Sequence, residues 1–188
     1  AMLKGYNNGE LDFIENLPVD EIPTYLASGE LEIGDYLGTY YVCFNTEDEV
    51  FSDPNIRKAF SLVIDRNYIV ENVSQAGEVP ADGYVPNGVN DAAGPGSDDF
   101  RTVGGSYYSI SEEDYEKNCE EARQLLADAG YPNGEGFPTV EYLYNTADNH
   151  KKIGEALQNM WQTELGVTVN LNNQDWNKLA VEYWTPEN

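Results

Sequence analysis

The sequence predicts a mixed α/β fold, and three observations within residues 139–176 carry that prediction. Residues 139–144 (TVEYLY) alternate between polar and apolar side chains in the manner of a β-strand. Apolar side chains then recur at helical spacing from Ile153 to Leu165, and residues 167–171 (VTVNL) alternate again. Two strands that are joined by one helix pair in parallel with a right-handed crossover. We therefore expect a mixed sheet flanked by helices, with this parallel strand–helix–strand unit inside it.

The chain before residue 139 shows further helical and extended patterns. The sequence Ser52-Asp53-Pro54 is a strong helix start, because aspartate caps a first turn and proline fits its first position. Apolar spacing predicts additional helices at the start of the chain and over residues 19–27, 66–74 and 112–129. Alternation predicts extended strands over residues 11–15, 31–36 and 39–45.

Residues 81–106 form a long segment without periodicity that is rich in glycine, proline, asparagine and aspartate. A run of this length within a domain is usually a functional cover loop or is disordered. The patterns on both sides belong to one sheet, so we interpret residues 1–188 as a single unit that contains this loop. Asp91, Asp98 and Asp99 lack the spaced ligands of a calcium-binding loop, which favours a solvated loop.

The composition excludes several classes of function. The chain has 34 acidic and 10 basic residues and a net charge of −24, which disfavours binding to nucleic acid or to anionic membranes. One histidine and no Cys-x-x-Cys make a zinc site improbable, and no nucleotide-binding or nucleophile-elbow motif is present. The motifs therefore indicate no cofactor, and nothing positions a serine for nucleophilic catalysis with the one histidine. A carbohydrate-active hydrolase with paired carboxylates is the alternative from another class, although 34 acidic residues produce such pairs by chance.

The two cysteines give no disulfide framework. Cys119 falls on the inward stripe of the helix predicted over residues 112–129, which predicts a buried thiol. Cys43 belongs to the strand predicted over residues 39–45, and the spacing of the two does not establish whether they pair. No apolar run approaches the length of a membrane span, and the first residues are no signal peptide. We therefore expect either that processing removed an export signal or, as we favour, that the chain is a piece of a longer protein.

The parallel unit also predicts where a ligand would bind. In open α/β sheets, ligands sit beyond the carboxyl ends of the strands. Residues 145–150 leave the first strand there, and residues 172–176 leave the second, so His150 and Trp176 are expected near each other. Tyr41 and Cys43 stand two apart on a predicted strand and should face the same side.

Collinear segments over most of the chain resemble the oligopeptide-binding proteins of bacterial ABC importers, which are family 5 extracellular solute-binding proteins. The resemblance is clearest over residues 143–152 (LYNTADNHKK) and 165–176 (LGVTVNLNNQDW). It continues through DYLGTYY at 35–41, DPNIRKAF at 53–60, IDR at 64–66 and ARQLLADAGY at 122–131. Members of this family are two-lobed and much longer. The resemblance therefore implies that this chain is most of one periplasmic-binding-protein-like lobe, with the second lobe missing.

The resemblance implies a function as well as a fold. Such a protein captures oligopeptides outside the cytoplasmic membrane, in the periplasm or at the cell surface, where a lipid anchor holds the full-length protein. It delivers them to the membrane permease and ATPase subunits of an importer, and it is not an enzyme. Relatives in the same superfamily bind nickel complexes, haem or oligosaccharides, so another solute is the closest alternative.

By resemblance, seven positions of this chain line the ligand pocket: Tyr36, Tyr41, Cys43, Ser74, His150, Trp176 and Tyr183. Well-known oligopeptide binders carry a lysine at the position of Ser74, an arginine at that of Tyr183 and a glutamate at that of Cys43. These departures mean that ligand length and charge do not carry over. The family's acidic partner for the peptide amino terminus follows the last residue of this chain. We therefore expect little peptide affinity from the isolated lobe.

Overall fold

The computed structural model describes residues 2–183, with side chains through Leu179. The α-helices are α1 (Met2–Asn7), α2 (Ile22–Ser28), α3 (Pro54–Leu62), α4 (Arg66–Tyr68), α5 (Phe100–Gly104), α6 (Tyr115–Asp128), α7 (Asp148–Leu165) and α8 (Trp176–Tyr183). A π-helical turn, Ile69–Ser74, continues α4, and short 3₁₀ turns cover Val19–Glu21, Glu112–Asp114 and Pro132–Gly134. The strands are β1 (Val140–Asn145) and β2 (Val169–Gln174).

The predicted strand–helix–strand unit is confirmed. Strands β1 and β2 pair in parallel, in a register that runs from Val140 opposite Val169 to Asn145 opposite Gln174. Strand β2 extends three residues beyond its predicted end. The ladder continues past the strands, since the Thr146 amide donates to the Gln174 carbonyl oxygen at 2.9 Å. The amide-rich segment after residue 171 is therefore part of the sheet rather than a loop.

Helix α7 packs closely on this sheet because one of its inward positions is glycine. A Cβ atom added to Gly154 would lie 3.1 Å from Cε1 of Tyr142 and 3.6 Å from Cδ2 of Leu171. Side chains on both strands thus occupy the space that a larger residue in the helix would fill. The buried residues of α7 form one stripe: Ile153, Gly154, Leu157, Met160, Trp161 and Leu165.

The core joins α7 to α3 and α6 around two large aromatic side chains, Phe60 and Trp161, which are almost completely buried. Their ring centroids are 5.5 Å apart, and the Trp161 indole Nε1 donates to the Phe60 carbonyl oxygen at 2.8 Å. Phe60 lies in the last turn of α3, where backbone carbonyls lack helical partners. The indole therefore satisfies a helix end as well as filling the core. At the other end of α3, the predicted Asp53 cap is confirmed, since its carboxylate accepts from the Asn55 amide at 2.8 Å.

The mixed α/β fold class is confirmed, but the strands expected over residues 11–15, 31–36 and 39–45 do not form. Within residues 2–183 the sheet contains β1 and β2 alone. Phe13 and Tyr36 are 78% and 91% exposed, so the first two segments have little to pack against. Val42 and Phe44 do pack on the core, but no strand in the described part of the chain pairs with their segment. Alternation places side chains on two sides, whereas a strand also needs a partner for its backbone.

The loop over residues 81–106 is largely irregular, and hydrogen bonds join its two ends. The Tyr108 hydroxyl donates to the Ala81 carbonyl oxygen at 3.0 Å, and the Tyr107 amide donates to that of Asp82 at 3.1 Å. Helix α5 and a single antiparallel bridge between Asn90 and Asp99 lie inside the loop. Across the described helices of the chain, none has the length and apolar character needed to cross a membrane.

Replacing Trp161 with phenylalanine should lower the free energy of unfolding by about 2 kcal/mol, because it leaves a small cavity and removes the hydrogen bond to α3. Trp176→Phe is the matched control, since Trp176 is 48% exposed and should change stability by less than about 0.5 kcal/mol. Urea unfolding of the three proteins measures both values. Equal losses in the two variants would contradict the assignment of Trp161 to the core.

Candidate ligand-binding site

The carboxyl ends of the two strands meet at one edge of the sheet, and hydrogen bonds hold the segments that leave it together. The Thr146 hydroxyl donates to the Asn173 side-chain oxygen at 2.7 Å, in addition to the backbone bond to Gln174. His150 lies in the first turn of α7, and Trp176 is the first residue of α8. Both predicted residues therefore begin helices that leave the same edge. That their side chains lie near each other stays a prediction.

His150 makes a close contact with a residue that the sequence did not single out. The Tyr40 hydroxyl lies 2.8 Å from Nδ1 of His150, and the two rings stack with centroids 5.5 Å apart and an interplanar angle of 29°. Burial of the imidazole lowers the pKa of His150. Tyr40 and His150 are 110 positions apart, so no local pattern could have indicated their contact.

Tyr142 extends this contact into the sheet. Its ring packs 5.8 Å from that of Trp161 and 6.1 Å from that of Tyr144, measured between centroids. Burial, together with the neighbouring Tyr40 hydroxyl, raises the pKa of Tyr142. Burial also raises the pKa of Tyr40, and a hydrogen bond from Tyr142 lowers that pKa by a smaller amount. Tyr142 on β1 therefore acts on Tyr40, which in turn contacts His150 at the start of α7.

Tyr41 and Cys43 are both exposed, whereas Val42 and Phe44 between and beside them pack on the core. The prediction that Tyr41 and Cys43 face the same side agrees with this alternation. The Tyr41 ring meets the ring of Tyr84 edge-on, with centroids 4.9 Å apart, and a hydrogen bond between the two raises the pKa of Tyr41. Tyr84 comes from the loop over residues 81–106, so that loop contributes to the same surface.

The other predicted site residues are placed differently. The Ser74 side chain is buried, and its hydroxyl donates to the Glu78 carboxylate at 3.0 Å, which also accepts from the Ala76 amide. Ser74 thus stabilises a turn. Tyr36 is 91% exposed. Tyr183 ends α8, and its side chain lies outside the described part of the chain.

The structure adds two observations on binding chemistry. Two open surface depressions are lined by other residues, one around Asp82 and residues 106–111, the other between α2 and the π-helical turn Ile69–Ser74. Among the residues that the structure describes, no group of three or more histidine, cysteine, aspartate or glutamate side chains could hold a metal ion.

Both cysteines are free thiols, and they differ sharply in exposure. Cys43 lies on the surface, whereas Cys119 is fully buried in α6, where burial raises the pKa of its thiol to about 11. Because the thiolate is the reactive form, we expect a maleimide to modify one thiol in the native chain and two after unfolding. Mass spectrometry of Cys43→Ser, which should give no native labelling, assigns the site. Native labelling of Cys119 would contradict the packing of α6.

Comparison with known proteins places the chain in a family. The sequence model described as "Bacterial extracellular solute-binding proteins, family 5 Middle" matches residues 1–188. The chain is 36% identical over 179 residues to the periplasmic oligopeptide-binding protein OppA of Salmonella typhimurium, covering 91% of the chain and 30% of that protein. It is 34% identical over 179 residues to OppA of Bacillus subtilis, covering 93% and 31%. It also resembles the structure of the murein tripeptide binding protein MppA of Escherichia coli, with a TM-score of 0.77, 32% identity and coverage of 96% and 33%. The chain therefore spans about a third of the length of these relatives, and it belongs to the family 5 extracellular solute-binding proteins of bacteria.

Proposed function

We propose that this chain is part of the substrate-binding component of a bacterial ABC transporter, which captures oligopeptides outside the cytoplasmic membrane for import. The proteins similar to it support this role, since OppA of Salmonella typhimurium and OppA of Bacillus subtilis are both named for oligopeptide binding. The single structural observation that carries the proposal is a set of exposed aromatic side chains, of which Tyr40 and Trp176 lie at the carboxyl edge of the sheet.

These aromatic side chains suit a receptor that accepts many peptide sequences. Tyr36, Tyr40, Tyr41 and Trp176 are 91%, 53%, 55% and 48% exposed, so their rings are accessible to a ligand. Tyrosine and tryptophan offer wide contact area and a polar tip at little cost in rotamer entropy. They can therefore line roomy pockets for side chains of varied shape, while other groups hold the backbone and the charged ends of the peptide.

We assign His150 to the recognition of a ligand carboxylate, either directly or through water. Cys43 stands where well-known oligopeptide binders have a glutamate, so the surface beside Tyr41 lacks an anion that those proteins use. Ser74 stands where they have a lysine, and its buried hydroxyl donates to Glu78, so the proposed pocket lacks that cation. Tyr183, at the position of their arginine, completes the proposed set. Neutral residues at all three positions imply a peptide preference that differs from theirs.

In this proposal the chain performs no catalysis, and ATP hydrolysis belongs to partner subunits of the transporter. A second lobe of the full-length protein closes over the peptide, as two-lobed binding proteins do about a hinge. The protein works outside the cytoplasmic membrane, in the periplasm or held at the cell surface by a lipid anchor. The isolated lobe offers roughly half of the contacts with the peptide. It should bind peptides weakly, because each ~1.4 kcal/mol of binding free energy that is lost lowers the affinity tenfold.

The test uses the full-length protein, purified without denaturation so that bound ligands remain. Mass spectrometry of the released ligands should recover short peptides, and calorimetry with synthetic versions should give saturable binding. The isolated 188-residue chain, measured in parallel, should bind the same peptides far more weakly. Recovery of haem, metal chelates or oligosaccharides in place of peptides would overturn the assignment. Turnover of glycans at a defined pH optimum would instead support the hydrolase alternative.

Trp176→Ala in the full-length protein should weaken peptide binding by about 1–3 kcal/mol, the range expected when an aromatic anchor is truncated. The fold should stay intact, because the ring is about half exposed rather than buried in the core. Phe13→Ala is the matched control, since it removes an aromatic ring that is 78% exposed and outside the proposed pocket. Calorimetry measures the affinities, and thermal unfolding measures stability. Unchanged affinity in Trp176→Ala, or a loss equal to that of Phe13→Ala, would remove Trp176 from the site.

A further inference from the structure

The contact between Tyr40 and His150 could run in either direction, since the hydroxyl and the imidazole nitrogen can each donate or accept. The Tyr40 hydroxyl lies 2.8 Å from Nδ1 of His150, and a hydrogen bond from Tyr142 acts to lower the pKa of Tyr40. Each tyrosine has one hydroxyl proton to donate. If Tyr142 donates to Tyr40, the proton of Tyr40 is available for Nδ1. His150 then accepts at Nδ1 and, as a neutral ring, carries its proton on Nε2.

The surroundings of His150 favour this direction over the reverse. An imidazolium would have to donate from Nδ1 to Tyr40, but burial of the ring lowers the pKa of His150 and so favours the neutral form. His150 also lies in the first turn of the 18-residue helix α7, where the positive end of the helix dipole disfavours a cation. The stacked Tyr40 ring holds the imidazole plane in place.

The charged groups near His150 on α7 form ion pairs with other residues or are exposed to solvent. Lys151 forms an ion pair with Glu155 at 3.8 Å, and Lys152 pairs with Asp20 near α2. Asp148 is exposed at the helix start. From β1, Tyr142 acts on Tyr40, and the Tyr142 ring lies 6.1 Å from that of Tyr144, measured between centroids. Among the described side chains, none makes a hydrogen bond to Nε2 of His150, so this nitrogen remains available.

We propose that Tyr40 is a positioning residue that fixes His150 as a neutral donor, with its Nε2–H presented to an acceptor group of the ligand, such as a peptide carboxylate. The identity of the ligand rests on the proposed function, whereas the state of His150 does not. This arrangement assigns a role to Tyr40, which exposes half of its surface yet has its hydroxyl directed to the imidazole. It also explains why Tyr40 and Tyr41, adjacent in sequence, engage different neighbours.

The state of His150 can be measured directly, because it is the only histidine of the chain. In ¹⁵N spectra of the 188-residue chain near neutral pH, Nε2 should be protonated and Nδ1 unprotonated, with a titration midpoint below ~6.5. Tyr40→Phe keeps the stacked ring but removes the donor. It should raise the midpoint and populate the tautomer protonated at Nδ1. Tyr142→Phe should act in the same direction but more weakly.

Tyr25→Phe is the matched control, since it removes a hydroxyl that donates to Asn7 at 2.7 Å and should leave the His150 signals unchanged. A protonated Nδ1 in the unmodified chain would overturn the proposal. So would a Tyr40→Phe spectrum identical to the original, because the hydroxyl would then have no influence on the imidazole.

Peptide binding by the full-length protein tests the second half of the proposal. Tyr40→Phe should weaken binding about threefold to tenfold near neutral pH, as expected for the loss of one oriented hydrogen bond. Normal affinity together with changed His150 spectra would show that His150 does not contact the ligand. A full-length protein that binds no peptide, while its His150 spectra change as expected, would refute the proposed function and leave the positioning role standing.

Discussion

The parallel pairing of β1 with β2 is the constraint on which the rest of this lobe depends. It forces the connecting helix α7 to cross one face of the sheet, and Gly154 allows that crossing to be close. Trp161, on the same helix, then reaches the end of α3 and donates to its last turn. The same pairing puts the starts of α7 and α8 at one edge. Core and candidate site are thus two consequences of a single crossover.

The elements that the sequence predicted well are those whose signals are local. Helix α3 is predicted by Asp53, Pro54 and a repeating apolar face. The β1–α7–β2 unit is predicted because the spacing of apolar residues changes from that of a strand to that of a helix and back. The failed strands show the limit of such signals. In residues 39–45, Val42 and Phe44 turn inward as the alternation indicates, but whether a backbone finds a partner is decided by distant parts of the polypeptide. No periodicity within the segment carries that information.

The residues of the candidate site also divide into those that local signals predicted and those that they did not. The sheet topology placed His150 and Trp176 at one edge, and a period of two placed Tyr41 beside Cys43. No local pattern in the sequence indicates a role for Tyr40 or Tyr84, because each contacts a residue far away in sequence. Tyr40 contacts His150, 110 positions later, and Tyr84 contacts the exposed Tyr41. Ser74 shows the opposite case. The resemblance to longer relatives predicted that Ser74 lines the pocket. In the structure its hydroxyl donates to Glu78 and stabilises a local turn.

Segment 39–45 connects these observations, since it is held in place almost entirely by side chains. Within the described residues, no backbone hydrogen bond ties residues 39–44 to another element. Tyr40 joins the segment to the sheet edge, Tyr41 joins it to the loop over residues 81–106, and Phe44 joins it to the core. A segment without a backbone ladder belongs to the less stable part of a fold and can shift at low cost. Tyr41, which packs against Tyr84, therefore stands on a segment able to adjust to ligands of different shape, while its neighbour Tyr40 is tied to His150 at the start of α7.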